Sequence, residues 1–152
     1  MVDHHTILWI SSSRNSYTGW ASVFTDPDIQ VLRVNELEYT LGQFAHMQID
    51  LVILEAGGIV KDDIDLCCRL RKRFDSPLIL LTTNVTEDFA VAAYGAGVDE
   101  CILGHISPDL LRAKVGARIR SIERMARDPA PLPPEVDYLM KQPVDDVRRF
   151  GH

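Results

Sequence analysis

Five short runs rich in valine, isoleucine and leucine alternate with longer segments, and this alternation limits the folds that are open to the chain. The runs cover residues 6–11, 29–34, 50–55, 77–82 and 101–103. Strands that alternate with helices in this way are typical of a parallel sheet. Three runs are continuously apolar, at residues 7–10, 51–54 and 78–81. Continuous apolar runs indicate strands covered by helices on both faces, so we predict that these three are the central strands.

The segments between the runs have the spacing of amphipathic helices. We predict helices over residues 15–24, 36–46, 62–73 and 86–94, and from residue 108 to about residue 127. The sequence Ser107-Pro108-Asp109 is a start signal for the last helix, whose apolar residues recur at helical spacing. Pro129 cannot continue that helix and stops it.

The chain divides into three parts at a proline-rich segment. Its 152 residues are 46% hydrophobic, which is enough for one well-buried domain. We assign residues 1–127 to that domain. Residues 128–134 contain four prolines, which favour an extended path, and read as a linker. Residues 135–152 are too few and too polar for a core of their own, so they form a docked tail, a disordered tail or the start of a further domain.

The composition excludes several classes of protein. A net charge of -6 argues against a general nucleic-acid-binding surface. The three cysteines, Cys67, Cys68 and Cys101, show no paired spacing, so neither a disulfide framework nor a zinc site is indicated, and a reducing cytoplasm is expected. No apolar run approaches the ~20 residues of a membrane span. No serine, histidine and aspartate share a spacing that specifies a nucleophile, so we predict no enzyme.

Three segments of the chain carry a resemblance to a known family. They are Asp50-Leu-Val-Ile-Leu-Glu55, Pro77-Leu-Ile-Leu-Leu-Thr82-Thr83 and Ala93-Tyr-Gly-Ala-Gly97-Val-Asp99-Glu100. Together they resemble the receiver domain of bacterial response regulators in two-component signalling, and the last helix looks most like the branch joined to winged-helix DNA-binding domains. The resemblance implies a doubly wound, flavodoxin-like α/β fold with five parallel strands in the order 2-1-3-4-5. It places the chemistry at the carboxyl ends of strands 1, 3 and 4.

The resemblance also implies a phosphoryl-accepting site, from which this chain departs. The acid pair that helps to hold Mg²⁺ aligns with Ser11 and Ser12, whose neutral hydroxyls lack the charge that the cation needs. The acceptor aspartate aligns with Glu55, which is longer by one methylene, about 1.5 Å. The lysine that would neutralise a phosphoryl group aligns with Gly104. We therefore predict neither Mg²⁺ binding nor in-line attack at this site.

Thr82, the hydroxyl that follows the phosphoryl group in the family's switch, is unchanged, but its aromatic partner aligns with Cys101. We read the chain as a degenerate, phosphorylation-independent receiver that acts in signal transduction and transcription regulation through dimerisation or protein contacts. One hypothesis is that Glu55 imitates a phosphorylated aspartate and hydrogen-bonds Thr82. The alternative is a partly solvated acid at a strand end.

Two other functions compete with this reading. The first is a ligand-sensing pocket near Ser11, Ser12, Glu55 and Thr82. The second is a flavodoxin-like cofactor protein, because the hydroxyl-rich segment of residues 11–19 stands where such proteins hold the phosphate of FMN. Serine, asparagine and glycine are also common in ordinary hydrophilic loops, so this segment has a simpler explanation.

The winged-helix branch implies a symmetric homodimer through the fourth helix, the fifth strand and the last helix, where ion pairs cross the interface. Glu100 and Lys114 could retain one such pair, whereas Leu110 stands where family members often place a charge. We predict a homodimer through this surface. The linker is placed where the branch joins its DNA-binding domain, so the chain is either the first part of a transcription regulator that continues beyond His152 or a stand-alone pseudo-receiver.

Overall fold

The computed structural model describes residues 4–11, 24, 26–35, 42–44, 46–84 and 86–127. Residues 1–120 form one compact unit, and residues 121–152 belong to a second unit, of which only the helical residues 121–127 are described. Ser12, the predicted linker and the predicted tail lie outside the described residues. So do most of the helices predicted at residues 15–24 and 36–46.

Five parallel strands form a single sheet in the order β2-β1-β3-β4-β5. They are His5–Ser11 (β1), Ile29–Val34 (β2), Leu51–Glu55 (β3), Leu78–Thr82 (β4) and Glu100–Leu103 (β5). The predicted order is confirmed, and so are the predicted central strands. Strands β3 and β4 are buried along their whole length and β1 along nearly all of it, whereas the edge strands β2 and β5 are partly exposed.

Three helices are described, Val60–Arg73 (α1), Glu87–Gly95 (α2) and Pro108–Arg127 (α3). Two of them begin at residues that cap their first turn. The Thr86 hydroxyl accepts the N–H of Phe89 at 3.3 Å, and the Ser107 hydroxyl accepts the N–H of Leu110 at 3.2 Å. Such side chains satisfy N–H groups that have no partner within the helix. No helix in the described part of the chain is long and apolar enough to cross a membrane.

Side-chain alternation along the strands divides the core between the two faces of the sheet. On one face, Leu8 and Ile10 pack in a cluster with residues of α1 and α2. On the other face, Ile7 and Trp9 pack in a cluster with α3. The α3 residues in that cluster are Leu111, Val115 and Ile119. Both faces of β1, β3 and β4 are therefore covered, which explains their continuous apolar sequences.

Arg71 of α1 fixes the turn that precedes β5. Its guanidinium donates to the carbonyl oxygens of Gly97 at 3.0 Å, Phe74 at 3.1 Å and Ser76 at 2.9 Å, and it pairs with Asp99 at 2.8 Å. Gly97 has φ +108°, a conformation that L residues rarely adopt, and a Cβ there would stand 2.6 Å from Arg71 Cγ. Glycine is therefore required at this position of the turn.

Candidate functional site

The parallel sheet brings most of the predicted site residues to one edge. Ser11 and Glu55 are register partners at the carboxyl ends of β1 and β3. Thr82 ends β4, and its carbonyl oxygen accepts the N–H of Gly104 at 2.8 Å. In the described part of the chain, no group of three or more histidine, cysteine, aspartate or glutamate side chains is arranged to hold a metal ion.

Glu55 is buried at this edge, with only 3% of its surface exposed. Its Oε1 accepts the indole N–H of Trp9 at 2.7 Å, and its Oε2 accepts the hydroxyl of Ser11 at 3.2 Å. Trp9 and Ser11 are two residues apart on β1 and therefore point to the same face of the sheet. The partly solvated acid considered as one reading of Glu55 is wrong, because the side chain is directed into the protein.

Trp9 is a site residue that our sequence analysis treated only as part of a strand. Its indole is 1% exposed, and its ring centroid lies 6.3 Å from that of Phe24 with the ring planes at 58°. A buried indole N–H usually finds a hydrogen-bond acceptor, so the tryptophan in a central strand was a signal that a polar partner must lie nearby.

Thr82 is also buried, at 6% exposure, but its hydrogen bond goes elsewhere. Its hydroxyl oxygen accepts the backbone N–H of Asn84 at 3.0 Å. The hypothesis that Glu55 hydrogen-bonds Thr82 is wrong. Glu55 accepts hydrogen bonds from Trp9 and Ser11 instead, and Thr82 accepts one from Asn84. Thr82 and Cys101, the two predicted switch residues, line one pocket of about 200 Å³.

The loop after Glu55 is fixed by a residue that the sequence analysis did not assign to the site. Asp63 of α1 is 3% exposed, and its carboxyl oxygens accept the N–H groups of Gly57 at 2.8 Å and Gly58 at 3.1 Å. Gly58 has φ +101°, which favours glycine. Asp63 therefore ties the first turn of α1 to the loop at the carboxyl end of β3.

Two thiols near this edge are held in the neutral form. Burial raises the pKa of Cys67 to about 12, and the carboxyl group of Asp63 adds to the effect. Burial also raises the pKa of Cys101, with a smaller contribution from Glu100 and a partial offset by a hydrogen bond to Tyr94. Neither thiol has the lowered pKa of a reactive cysteine.

The predicted dimer surface carries ion pairs that close within one chain. Glu100 Oε1 lies 3.1 Å from Lys114 Nζ, and Glu100 Oε2 lies 3.4 Å from an Nη of Arg118. Large apolar side chains of α2, β5 and α3 are exposed, and we name them the α2–β5–α3 surface. They are Val91 at 65% exposure, Tyr94 at 49%, Leu103 at 40% and Leu110 at 50%.

The architecture matches solved receiver domains. A response regulator from Thermotoga maritima shares 21% sequence identity at a TM-score of 0.66, covering 77% of this chain and 98% of that one. The BeF3-activated receiver domain of Klebsiella pneumoniae RstA shares 23% identity at a TM-score of 0.65, covering 76% and 99%. A CheY-like receiver domain protein from Methanospirillum hungatei JF-1 shares 15% at a TM-score of 0.68, covering 80% and 98%. The chain therefore has the fold of response-regulator receiver domains.

Sequence comparison gives a narrower result. No protein-family model matches the chain. A curated relative, the "Uncharacterized transcriptional regulatory protein YclJ" of Bacillus subtilis (strain 168), is 31% identical over 78 residues. The match covers 51% of this chain and 34% of the relative, so it spans about a third of the relative's length.

Proposed function

We propose that the chain is a signalling module with a receiver fold that works through protein contacts and takes up no phosphoryl group. The observation that carries this proposal is the position of Glu55. A carboxyl group that accepts a phosphoryl group must meet its donor in line, with the reacting atoms closely positioned. Glu55 is only 3% exposed, and both of its oxygens accept hydrogen bonds from β1. That geometry withdraws the group from an incoming donor.

The surrounding residues support the same proposal. Mg²⁺ prefers several oxygen ligands and compensating negative charge. The neutral hydroxyl of Ser11 donates to Glu55, so the described residues at these strand ends do not fit the cation. At the position that the receiver resemblance assigns to lysine, Gly104 has no side chain to neutralise a phosphoryl group.

The test is to add Mg²⁺ and beryllofluoride, a phosphoryl mimic, and to follow amide NMR shifts with sedimentation on the same sample. We expect no saturable shift around Glu55 and Thr82 and no change in sedimentation. A Glu55→Asp variant tests the neighbouring residues separately, because it restores the aspartate length of the acceptor. We expect this variant to stay unresponsive, since Ser11 and Gly104 still supply no charge. Saturable shifts in the parent protein would refute the proposal.

We also propose that the chain forms a homodimer through the α2–β5–α3 surface. Exposed apolar side chains that cluster on a surface favour association. The Glu100 carboxyl group already pairs with Lys114 and Arg118 of its own chain. The contact proposed here is therefore mainly apolar, and its strength should depend little on salt.

Replacing Leu110 by glutamate tests the dimer. Leu110 is 50% exposed, so the change should leave the fold intact while it places a charge in the apolar contact. We expect a monomer by sedimentation where the parent protein is a dimer. The matched control is Ile59→Glu, at a side chain that is 63% exposed and lies outside this surface. An unchanged dimer in Leu110→Glu, or equal losses in the two variants, would rule the surface out.

Transcription regulation is the cellular role that we propose for this module. The relative from Bacillus subtilis is named as a transcriptional regulatory protein, and the match covers 34% of its length. A DNA-binding part joined to the receiver fold would fit this relation, and coding sequence beyond His152 would test it. Location in the cytoplasm and the lack of enzyme activity remain predictions.

The ligand-sensing and flavodoxin-like alternatives involve residues that are not all described. Ser12 and most of the hydroxyl-rich segment at residues 11–19 lie outside the described residues. The flavodoxin-like reading predicts bound FMN, and a purified protein with flavin absorbance would favour it.

A further inference from the structure

A pocket of about 200 Å³ lies between the carboxyl ends of β4 and β5 and the first turn of α2. Phe89, Ala90, Cys101 and Leu103 contribute apolar groups to its walls, and Thr82 is one of the polar residues that line it. None of its described lining residues carries a formal charge. The pocket is therefore suited to an uncharged molecule, because a charged group buried there would lose its hydration without gaining a counter-charge.

Thr82 offers this pocket a hydrogen-bond donor. Its hydroxyl oxygen already accepts the N–H of Asn84 at 3.0 Å. A hydroxyl also carries a proton to donate, and among the described residues no acceptor takes it. Thr82 is only 6% exposed, and donors buried to this extent are normally satisfied by a partner. The arrangement leaves one unused donor beside an apolar wall.

We propose that this pocket binds a small uncharged molecule that has an apolar body and one hydrogen-bond acceptor, such as an aryl ketone or aryl amide. The Thr82 hydroxyl donates to the acceptor, and the body packs against Phe89 and Cys101. The volume of about 200 Å³ is below the range of drug-sized sites, so it suits a body of a single ring. Aromatic contact with Phe89 adds to the apolar burial.

The inference goes beyond the proposed function, because such a ligand would bind whether or not the site at Glu55 responds to a phosphoryl mimic. It also supplies a means of regulation. Leu103 lines the pocket and belongs to the α2–β5–α3 surface. The neighbouring pocket of about 310 Å³ shares Cys101 and Leu103 with the first one and extends to Leu110. A ligand that contacts Leu103 differently in monomer and dimer shifts their equilibrium.

Binding is tested with acetophenone as the probe and ethylbenzene as its partner without an acceptor, with no Mg²⁺ or beryllofluoride present. Amide NMR should show saturable shifts at Ala90 and Cys101 for acetophenone. The variant Thr82→Val keeps the side-chain shape but removes the donor. We expect it to weaken acetophenone binding about five-fold, as the loss of one neutral hydrogen bond predicts, while ethylbenzene binding stays unchanged.

Cys101→Phe is the second variant, because the larger ring fills the pocket and should abolish binding of both probes. If that variant does not fold, Ala90→Leu narrows the same pocket from α2. Absence of saturable shifts in the parent protein up to the solubility limit would overturn the proposal. So would equal binding in the parent protein and the filled variant. An equal loss of affinity for both probes in Thr82→Val would overturn the role of the hydroxyl. A negative result here leaves the beryllofluoride test unaffected.

Discussion

Replacing Trp9 by phenylalanine should reveal how much the hydrogen bond from its indole to the buried Glu55 carboxyl group contributes to the free energy of unfolding. The change removes the indole N–H that lies 2.7 Å from Glu55 Oε1, but it keeps an aromatic ring beside Phe24. A buried acceptor that loses its donor costs about 1–3 kcal/mol of unfolding free energy. The smaller ring loses about 1–2 kcal/mol more, a fraction of the cost of full truncation. We therefore expect Trp9→Phe to destabilise the protein by roughly 2–5 kcal/mol.

A double-mutant cycle with Glu55→Met separates the hydrogen bond from the packing loss. Methionine has a similar length and is apolar, so the loss of the Trp9 N–H leaves no orphaned acceptor in that background. The packing loss is similar in both backgrounds and cancels. In the Glu55→Met background the change also removes an indole N–H that has lost its acceptor, so the coupling contains the cost of one orphaned acceptor and one orphaned donor, roughly 2–6 kcal/mol in all. Urea unfolding followed by far-UV circular dichroism measures all four proteins, because removing Trp9 alters the fluorescence signal. A coupling below about 0.5 kcal/mol, the usual additivity error, would refute the argument.

Two further changes test the packing around the site and the sheet. Gly97→Ala should cost about 1–3 kcal/mol in urea unfolding, because Gly97 has φ +108° and its new Cβ would meet Arg71 Cγ at 2.6 Å. Gly95→Ala is the control, since nothing lies within 4 Å of its Cβ position, and it should be neutral or stabilising by up to ~1 kcal/mol; equal costs would contradict the reasoning. Because burial raises the pKa of Cys67, the folded chain keeps this thiol protonated up to a higher pH than the unfolded chain does. The resulting contribution to the unfolding free energy is complete below pH 9.0 and is lost as pH rises to about 12. We expect the unfolding free energy of the parent protein to fall more steeply over that range than that of Cys67→Ala, by up to ~1.4 kcal/mol per pH unit, and identical slopes would contradict the prediction.

The fold could be predicted from the sequence because its strongest signals are local. Continuous apolar runs mark β1, β3 and β4, and burial on both faces requires those residues whatever the details of packing. Helix starts were predicted well where a side chain caps them, as Ser107 does for α3. Helix α1 begins at Val60, two residues before the predicted start, because its N-cap residue is Ile59, which makes no side-chain cap. A helix that starts without a capping side chain leaves little trace in the sequence.

The strand-end positions of the candidate site residues could also be predicted, because parallel strands bring their carboxyl ends to one edge. Ser11, Glu55 and Thr82 all lie at the ends of their strands. The contribution of Asp63 could not be read in this way. An acid in the first turn of a helix usually interacts with its own helix dipole. Its bonds to the loop glycines depend on the loop conformation, which the sequence does not specify.

The direction of Glu55 is the property that changes the interpretation of the site, and it follows from side-chain length. Alternation places Trp9 and Ser11 on one face of β1, and the parallel register places Glu55 beside Ser11. A glutamate carboxyl group reaches about 1.5 Å further than that of an aspartate, which is the length of one carbon–carbon bond. Here it accepts a hydrogen bond from the indole of Trp9, two residues before Ser11 on β1. The extra methylene does more than displace an acceptor, because it lets the carboxyl group satisfy a buried N–H that would otherwise lack a partner. Under the proposed function, the longer side chain that keeps the carboxyl group out of phosphoryl chemistry also gives it a structural role, and this role depends on Trp9 as much as on Glu55.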